Sequence, residues 1–168
     1  DHPLEFPDAD GRLEMGARSD DWPSVDAEVR PYAAEDFPAM FSQPACRART
    51  LAAERTFWEK ATLLHAEYHR PPEKLGNERI SRHYYDLCCI SRGEIAKRAL
   101  DRDDLLKRVV QHKRCFFPRA WAHYETAAPG TFHLAPPEAR VEPFRKDYDA
   151  MKVMIFGDAP KWDEIMAA

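Results

Sequence analysis

The stretch TFWEKATLLHAEYHRPP, residues 56–72, contains the clearest helical pattern of the chain. Apolar residues recur there at the three- and four-residue spacing of one helix face: Phe57, Ala61, Leu64 and Tyr68. Thr56 and Glu59 have the spacing of a capping box, which predicts that the helix begins at Thr56. Pro71 and Pro72 predict that it ends before them. The pattern therefore indicates an amphipathic helix with one buried face.

Three further stretches downstream are predicted to be helical. Gly76 and Asn77 supply a turn and an N-cap for a second helix that carries RISRHYYDLCC, residues 79–89. A third helix begins near residues 101–103. The fourth helix has its apolar residues in register: Phe144, Tyr148, Met151 and Ile155. The last residues, KWDEIMAA at 161–168, resemble the start of another helix.

The first 50 residues have a different pattern. Apolar and polar residues alternate around a turn-rich centre over residues 2–16, which predicts a β-hairpin. Residues 19–48 contain four prolines, too many for a long helix, so a loop with short elements is expected. The predicted fold class is α+β: residues 1–50 form the end of a sheet and a proline-rich loop, and residues 51–168 form a mainly helical domain. An unpaired edge of the hairpin predicts dimerisation through it.

Composition excludes several classes of protein. The chain has 168 residues, of which 44% are hydrophobic and 32% charged, and its formal net charge is -4. These values are typical of a globular protein with no overall attraction to nucleic acid or membranes. No stretch approaches the roughly 18 apolar residues of a membrane helix, and no signal peptide opens the sequence, so a cytoplasmic location is expected. The four cysteines lack the spacing of a zinc site or a disulfide framework.

The second predicted helix carries a polar ridge beside its apolar face, formed by Arg79, Arg82, His83 and Asp86. One interpretation is a solvated helix face with an i,i+4 ion pair between Arg82 and Asp86. The other is a wall of a functional cleft. Both interpretations stay open at the level of residue spacing.

Lys60 lies at the border of the first helix's apolar face. It could pack its stem on the core with the ammonium in water, or it could hold phosphate charge at a cleft mouth. Packing the apolar faces of the first two helices together brings their borders side by side. We therefore expect Lys60 to face Arg82 and Asp86 across a single cleft.

Other charged patterns favour structural roles. His65 and His69 have metal-ligand spacing, but no third ligand accompanies them. Two carboxylate pairs also match magnesium-binding spacing, at residues 8–10 in a turn and at residues 101–103 at a helix start. The third helix carries a basic face that could contact an RNA backbone, or could simply be solvated: Lys107, Arg108, Lys113 and Arg114.

Four stretches taken together resemble the AbiEii/AbiGii-type nucleotidyltransferase toxin family. They are TFWEKATLLHAEYHRP, ERISRHYYDL, KRCFFPRAWAHYETAAPGT and DYDAMKVMIFG, which occur in this order along nearly the whole chain. The family is similar to the polymerase-β-like nucleotidyltransferases. The resemblance implies a small sheet that carries metal-binding carboxylates and a helical C-terminal half that closes over the nucleotide.

The resemblance assigns roles to particular residues. A helix-borne lysine of the family matches Lys60, and an aspartate in an arginine-rich helix matches Asp86. Arg82 then becomes part of a catalytic wall, in which Lys60 and Arg82 hold phosphates while Asp86 orients the cations or helps to activate the acceptor hydroxyl. Arg79 and His83 are expected to assist in binding the nucleotide phosphates.

The metal-binding half of the family's site has only one candidate here. Glu14 follows the position of the missing metal motif, and could project a carboxylate towards Mg²⁺ bound with the nucleoside triphosphate. The family's Gly-Ser turn and the carboxylate pair after it do not occur in the 168 residues. We therefore expect the C-terminal part of such an enzyme, inactive alone, with NTP, tRNA or another RNA, and a cognate antitoxin as partners. The alternative is a non-catalytic protein- or RNA-binding module on the same fold.

Overall fold

The computed structural model describes residues 20–74 and 79–168. The predicted hairpin at residues 2–16, the candidate Glu14 and the predicted cap at Gly76 and Asn77 lie outside these ranges. In chain order the strands and α-helices are β1 (Ser24–Val29), α1 (Ala33–Asp36), β2 (Cys46–Leu51), α2 (Ala53–Tyr68), α3 (Ser81–Ser91), α4 (Glu94–Leu100), α5 (Asp103–Phe116), α6 (Glu138–Met151) and α7 (Trp162–Met166). The predicted α+β class with a mainly helical body is confirmed. The division at residue 50 stays a prediction.

The proline-rich segment contributes two paired strands. β1 and β2 are antiparallel, with Asp26 opposite Arg49 and Glu28 opposite Arg47. Charged residues therefore share one face of this ribbon, and the other face carries Val25, Ala27, Val29, Cys46, Ala48 and Thr50. The prolines flank the strands and do not interrupt them. The segment contains short elements as expected, but their pairing into a ribbon was not predicted.

Helix α2 is the central element of the body. Its residues Trp58, Ala61 and Leu64 are buried, and α2 contacts α3, α4 and α5. One continuous core joins these helices to α6 and α7 through buried residues such as Tyr84, Leu105, Tyr148 and Trp162. None of the described helices is long and apolar enough to cross a membrane.

Helix α2 begins at Ala53, so the prediction of a start at Thr56 was wrong. The chain passes from β2 almost directly into the helix, and Ala52 is the N-cap in an extended conformation. The backbone N–H of Ala52 donates to Pro23 O at 2.9 Å, which ties this junction to the residue before β1. Tertiary pairing therefore sets the helix start, and the local capping sequence does not.

The sequence pattern also missed helix α4. The apolar face of α3 ends at Ser91, and Gly93 is the N-cap of a separate seven-residue helix. Ala96 and Ala99 of α4 are buried, and Ala99 O accepts a hydrogen bond from Trp58 Nε1 at 3.0 Å. The helix packs closely against the Trp58 indole, which requires small side chains at the contact. Alanine is only weakly hydrophobic, so Ala96 and Ala99 give little hydrophobic periodicity in the sequence.

Helix α6 fixes the ends of α2 and α3. Asp147 accepts hydrogen bonds from the backbone N–H groups of Arg79 (2.9 Å) and Ser81 (2.8 Å) at the start of α3. Arg140 donates to the carbonyl oxygens of Arg70 (3.0 Å) and Pro71 (3.1 Å), just beyond the end of α2. Two side chains of one helix thus satisfy backbone groups that two other helices leave without intrahelical partners. These contacts set the relative position of α2 and α3.

Candidate functional site

Lys60 lies between two side chains of α3. Its ammonium is 2.6 Å from Asp86 Oδ2 and 2.9 Å from His83 Nδ1. Lys60 and Asp86 meet from two different helices as expected, but they are in direct contact and do not face each other across a cleft. Because an ammonium group can only donate, His83 Nδ1 accepts this hydrogen bond, and the proton of the neutral ring lies on Nε2. We call Lys60, His83 and Asp86 the lysine cluster.

The electrostatics of the lysine cluster favour a neutral histidine. Burial, and after it the positive charges of Lys60 and Arg82, lower the pKa of His83 to about 4. The ring is therefore uncharged near neutral pH. Lys60 is thus oriented by one carboxylate and one neutral acceptor, and the third N–H of its ammonium has no acceptor among the described residues.

The two arginines of the polar ridge are exposed. Among the described residues, Asp86 pairs with Lys60 on α2 rather than with Arg82, so the interpretation as an i,i+4 ion pair was wrong. Arg79 has a backbone φ of 61°, which is the left-handed region, and Asp147 holds its N–H. Arg79, Arg82 and Asp86 line a shallow groove of about 160 Å³ on one side of α3.

A larger cavity of about 430 Å³, the central cavity, opens on the other side of α3. Arg82 and His83 form part of its wall, so His83 connects the lysine cluster to the cavity. Residues of α2, of α5 and of the following segment complete the lining, among them Glu59, Glu67, Arg70, Lys113, Phe117, Arg119, Trp121 and Tyr124. The cavity therefore combines cationic and aromatic side chains.

An ionic network that includes two residues of the cavity wall, Glu59 and Lys113, lies beside the central cavity. Arg55, only 1% exposed, donates to Asp20 Oδ2 at 2.8 Å and to Glu59 Oε1 at 3.0 Å. Lys113 donates to Glu59 O at 2.8 Å, and its ammonium lies 3.3 Å from Glu59 Oε2. Burial lowers the pKa of Lys113. Arg108 makes two hydrogen bonds to Asp20, at 2.8 and 2.9 Å.

This network corrects the prediction of a basic outer face on α5. Lys113 is buried and Arg108 is bound to Asp20, so two of the four predicted cations serve the packing of α5 against other segments. Lys107 pairs with Asp103 in the first turns of the helix. Carboxylates thus neutralise three of the four cations for which RNA contact and simple solvation were the alternatives.

His65 fastens the segment after α5 to helix α2. Its Nε2 lies 3.1 Å from both His123 O and Thr126 Oγ1, and its Nδ1 accepts from the backbone N–H of His133 at 3.2 Å. Both ring nitrogens are therefore engaged in protein contacts. His69 packs against the rings of His65, His123 and His133. These contacts give His65 a structural role.

The described residues by themselves do not fit a magnesium ion. Mg²⁺ is typically held by carboxylates, water and substrate phosphates. The Oδ2 atom of Asp86 accepts a hydrogen bond from the Lys60 ammonium. The described ranges contain no group of three or more His, Cys, Asp or Glu side chains that could hold a metal. Glu14 lies outside those ranges. The described part of the site is therefore its cationic side.

Sequence reasoning missed the contribution of Arg119, Trp121 and Tyr124 to the cavity. The available signal was the interleaving of basic and aromatic residues in KRCFFPRAWAHY, residues 113–124. The connection runs through α2: Ala66, Ala122 and Tyr124 form a small apolar cluster, with Trp121 packed against it. Long-range packing thus brings these residues beside the polar ridge.

Comparison with known proteins identifies the family of the chain. A family model described as "Nucleotidyl transferase AbiEii toxin, Type IV TA system" matches residues 5–168. No curated protein and no solved structure matches the chain. The match spans almost all of the 168 residues and includes every element of the lysine cluster and the central cavity. The chain therefore belongs to the AbiEii nucleotidyltransferase toxin family of type IV toxin–antitoxin systems.

Proposed function

We propose that the lysine cluster and Arg82 form the phosphate-binding wall of an enzyme that transfers a nucleotide from an NTP to an RNA acceptor, with tRNA as the first candidate. The observation that carries the proposal is the 2.6 Å contact between Lys60 and Asp86, which joins two helices beside His83, a residue of the central cavity wall. Membership of a nucleotidyltransferase family supports the reaction type.

The chemistry requires cations near the leaving group. Attack of the acceptor oxygen on the α-phosphate releases pyrophosphate, and negative charge accumulates on it during the step. Two hydrogens of the Lys60 ammonium are engaged by Asp86 and His83, and the third can be donated to a phosphate oxygen. Because its donors are preoriented, the group loses little entropy when the transition state forms.

Arg82 supplies a second cation on the same wall. Its guanidinium is exposed, and among the described residues it has no carboxylate partner, so it is available to a phosphate. Arg79 lies in the adjoining groove and extends this surface. Asp86 acts as a positioning residue for Lys60 through a charge-assisted hydrogen bond.

The remaining parts of the reaction require residues outside the described ranges. We propose that Mg²⁺ arrives with the NTP and is bound by carboxylates that include Glu14, together with the family's Gly-Ser turn. Residues 1–168 alone are then inactive in transfer. Because NTP and RNA are cytoplasmic, we propose that the reaction takes place in the cytoplasm and that a cognate antitoxin controls it there. Dimerisation through an edge at residues 2–16 stays a prediction.

The test uses a polypeptide that adds the Gly-Ser and carboxylate motifs to residues 1–168. Transfer of labelled nucleotides to total tRNA should fall at least about 100-fold in Lys60→Ala and in Asp86→Ala, because each removes preorganised charge stabilisation. Lys97→Ala is the matched control, since Lys97 makes only an exposed pair with Glu94. Thermal melts of all variants establish that they are folded. Wild-type transfer rates in both site variants would refute the proposal.

A second candidate function is a non-catalytic module that binds a protein partner. The apolar face of the β1–β2 ribbon favours it, because Val25 and Val29 remain 49% and 45% exposed. A two-stranded ribbon of this kind gains stability when another layer covers its apolar face. The sequence encoded immediately upstream of Asp1 separates the two functions: a Gly-Ser turn followed by paired carboxylates there excludes the non-catalytic module.

A further inference from the structure

The central cavity contains more positive charge than its carboxylates neutralise. Glu59 is occupied by Arg55 and Lys113, and Glu67 by Arg70 and Arg140. Arg82 and Arg119 also line the cavity, and within residues 20–74 and 79–168 neither has a carboxylate partner. The cavity therefore presents two guanidinium groups to solvent. An anion that enters the cavity can bind them without displacing a carboxylate of the described residues.

Three cations surround one aromatic ring at the edge of this cavity. The centroid of the Trp121 ring lies 4.6 Å from Arg70 Cζ, 5.4 Å from Arg119 Cζ and 5.8 Å from Lys74 Nζ. Arg70 is fixed there by a 2.6 Å contact with Glu67, whereas Arg119 and Lys74 are exposed. Arg119 and Lys74 thus lie close to the Trp121 ring, where their positive charges can attract an anion that enters the cavity.

We propose that the central cavity binds one nucleotide, with its base against Trp121 and its phosphate between Arg82 and Arg119. A volume of about 430 Å³ accommodates a ligand of this size. Aromatic and guanidinium planes stack on any base, and guanidinium forks match phosphate oxygens. The ligand is either a free nucleoside triphosphate or the terminal nucleotide of a single-stranded RNA.

The position of the cavity connects this site to the lysine cluster. His83 belongs to both, since its Nδ1 accepts from Lys60 while the side chain lines the cavity. A nucleotide held by Arg82 and Arg119 therefore lies next to the proposed site of transfer. The placement of the nucleotide next to the site of transfer rests on the proposed function, but binding of the nucleotide is measured without catalysis.

The experiment measures equilibrium binding by the 168-residue chain. The two probes are ATP, followed by calorimetry, and a fluorescein-labelled six-nucleotide oligoadenylate, followed by anisotropy. Arg82→Gln and Arg119→Gln should each weaken binding of the preferred probe about tenfold, because each removes a charge-assisted hydrogen bond. Arg47→Gln, on the charged face of β2, is the matched control and should bind as the wild type does.

Trp121 tests the stacking half of the site. Trp121→Leu should weaken binding about tenfold, whereas Trp121→Phe should retain affinity within about threefold, because phenylalanine still offers a ring. Circular dichroism of both variants establishes that they are folded. Equal affinity in the leucine and phenylalanine variants would overturn the assignment of the base to Trp121.

The two probes distinguish the source of the nucleotide. Preferential binding of ATP identifies a free triphosphate. Preferential binding of the oligonucleotide, with log affinity falling with log salt at a slope of about -0.7 for one neutralised phosphate, identifies an RNA end. Failure of both probes to bind at millimolar concentration, or equal affinity of Arg119→Gln and Arg47→Gln, overturns the inference. Wild-type transfer in both Lys60→Ala and Asp86→Ala, together with weakened binding in Arg119→Gln, would instead refute only the proposed function.

Discussion

Glu59 compensates two buried cations at once, so its removal should be costly. The carboxylate lies 3.0 Å from Arg55 Nη2 and 3.3 Å from Lys113 Nζ, and the two cationic side chains are 1% and 9% exposed. Breaking a buried ion pair by removing one partner costs about 3–5 kcal/mol. Arg55 retains Asp20, and Lys113 retains the backbone oxygen of residue 59. We therefore expect Glu59→Ala to lower the free energy of unfolding by about 3 kcal/mol.

A second substitution separates charge compensation from simple loss of packing. In the Glu59→Ala background, Lys113→Met removes one uncompensated cation and keeps most of the volume. It should therefore restore about 1–2 kcal/mol. Urea denaturation followed by circular dichroism gives these free energies. Glu94→Ala, which breaks an exposed pair with Lys97, is the control and should cost less than about 1 kcal/mol. The reasoning is refuted if Glu59→Ala costs no more than this control, or if Lys113→Met destabilises the variant further.

Two other predictions concern α3. Asp147→Ala should lower the free energy of unfolding by about 2 kcal/mol, because it leaves the N–H groups of Arg79 and Ser81 without their acceptor. The control is Asp149→Ala, at a nearby exposed position, which should change the free energy of unfolding by less than about 1 kcal/mol in the same urea titration. The pKa of His83 is about 4 in the folded protein and 6.5 as its ordinary value, so the folded state binds fewer protons and stability should fall as pH is lowered from about 6.5 to about 4. His83→Asn should flatten that part of the profile of unfolding free energy against pH by about 3 kcal/mol, and an unchanged profile would contradict the assignment of a buried neutral ring.

Local sequence was sufficient for the elements that carry the lysine cluster. The apolar faces of α2 and α3 follow helical spacing, so their borders, with Lys60 on one and Asp86 on the other, could be placed together before the structure was considered. The α+β class followed from the contrast between the proline-rich first 50 residues and the periodic remainder. These inferences succeed because the hydrophobic period of a helix can be read from its local sequence, and the apolar face that it defines is the face that packs in the core.

Residues distant in the chain decided which charges are available to a ligand. Lys113 has the same spacing as an exposed basic residue, yet it is buried because Glu59, 54 positions earlier, accepts its hydrogen bond. Arg119 and Trp121 lie in a segment without helical or strand periodicity. They line the cavity because this segment packs on α2. No local spacing encodes which carboxylate meets which cation.

The sequence by itself thus determined helices α2, α3, α5 and α6, the family, and the positions of Lys60 and Asp86 at neighbouring borders. Only the tertiary structure decided that Asp86 binds Lys60, that His83 is a neutral acceptor beside it, and that Arg82 remains without a carboxylate partner among the described residues. The physical reason is that helix formation and its apolar period depend on neighbours within about one turn. Charge pairing, in contrast, depends on burial and on distances of a few ångströms between segments far apart in the chain.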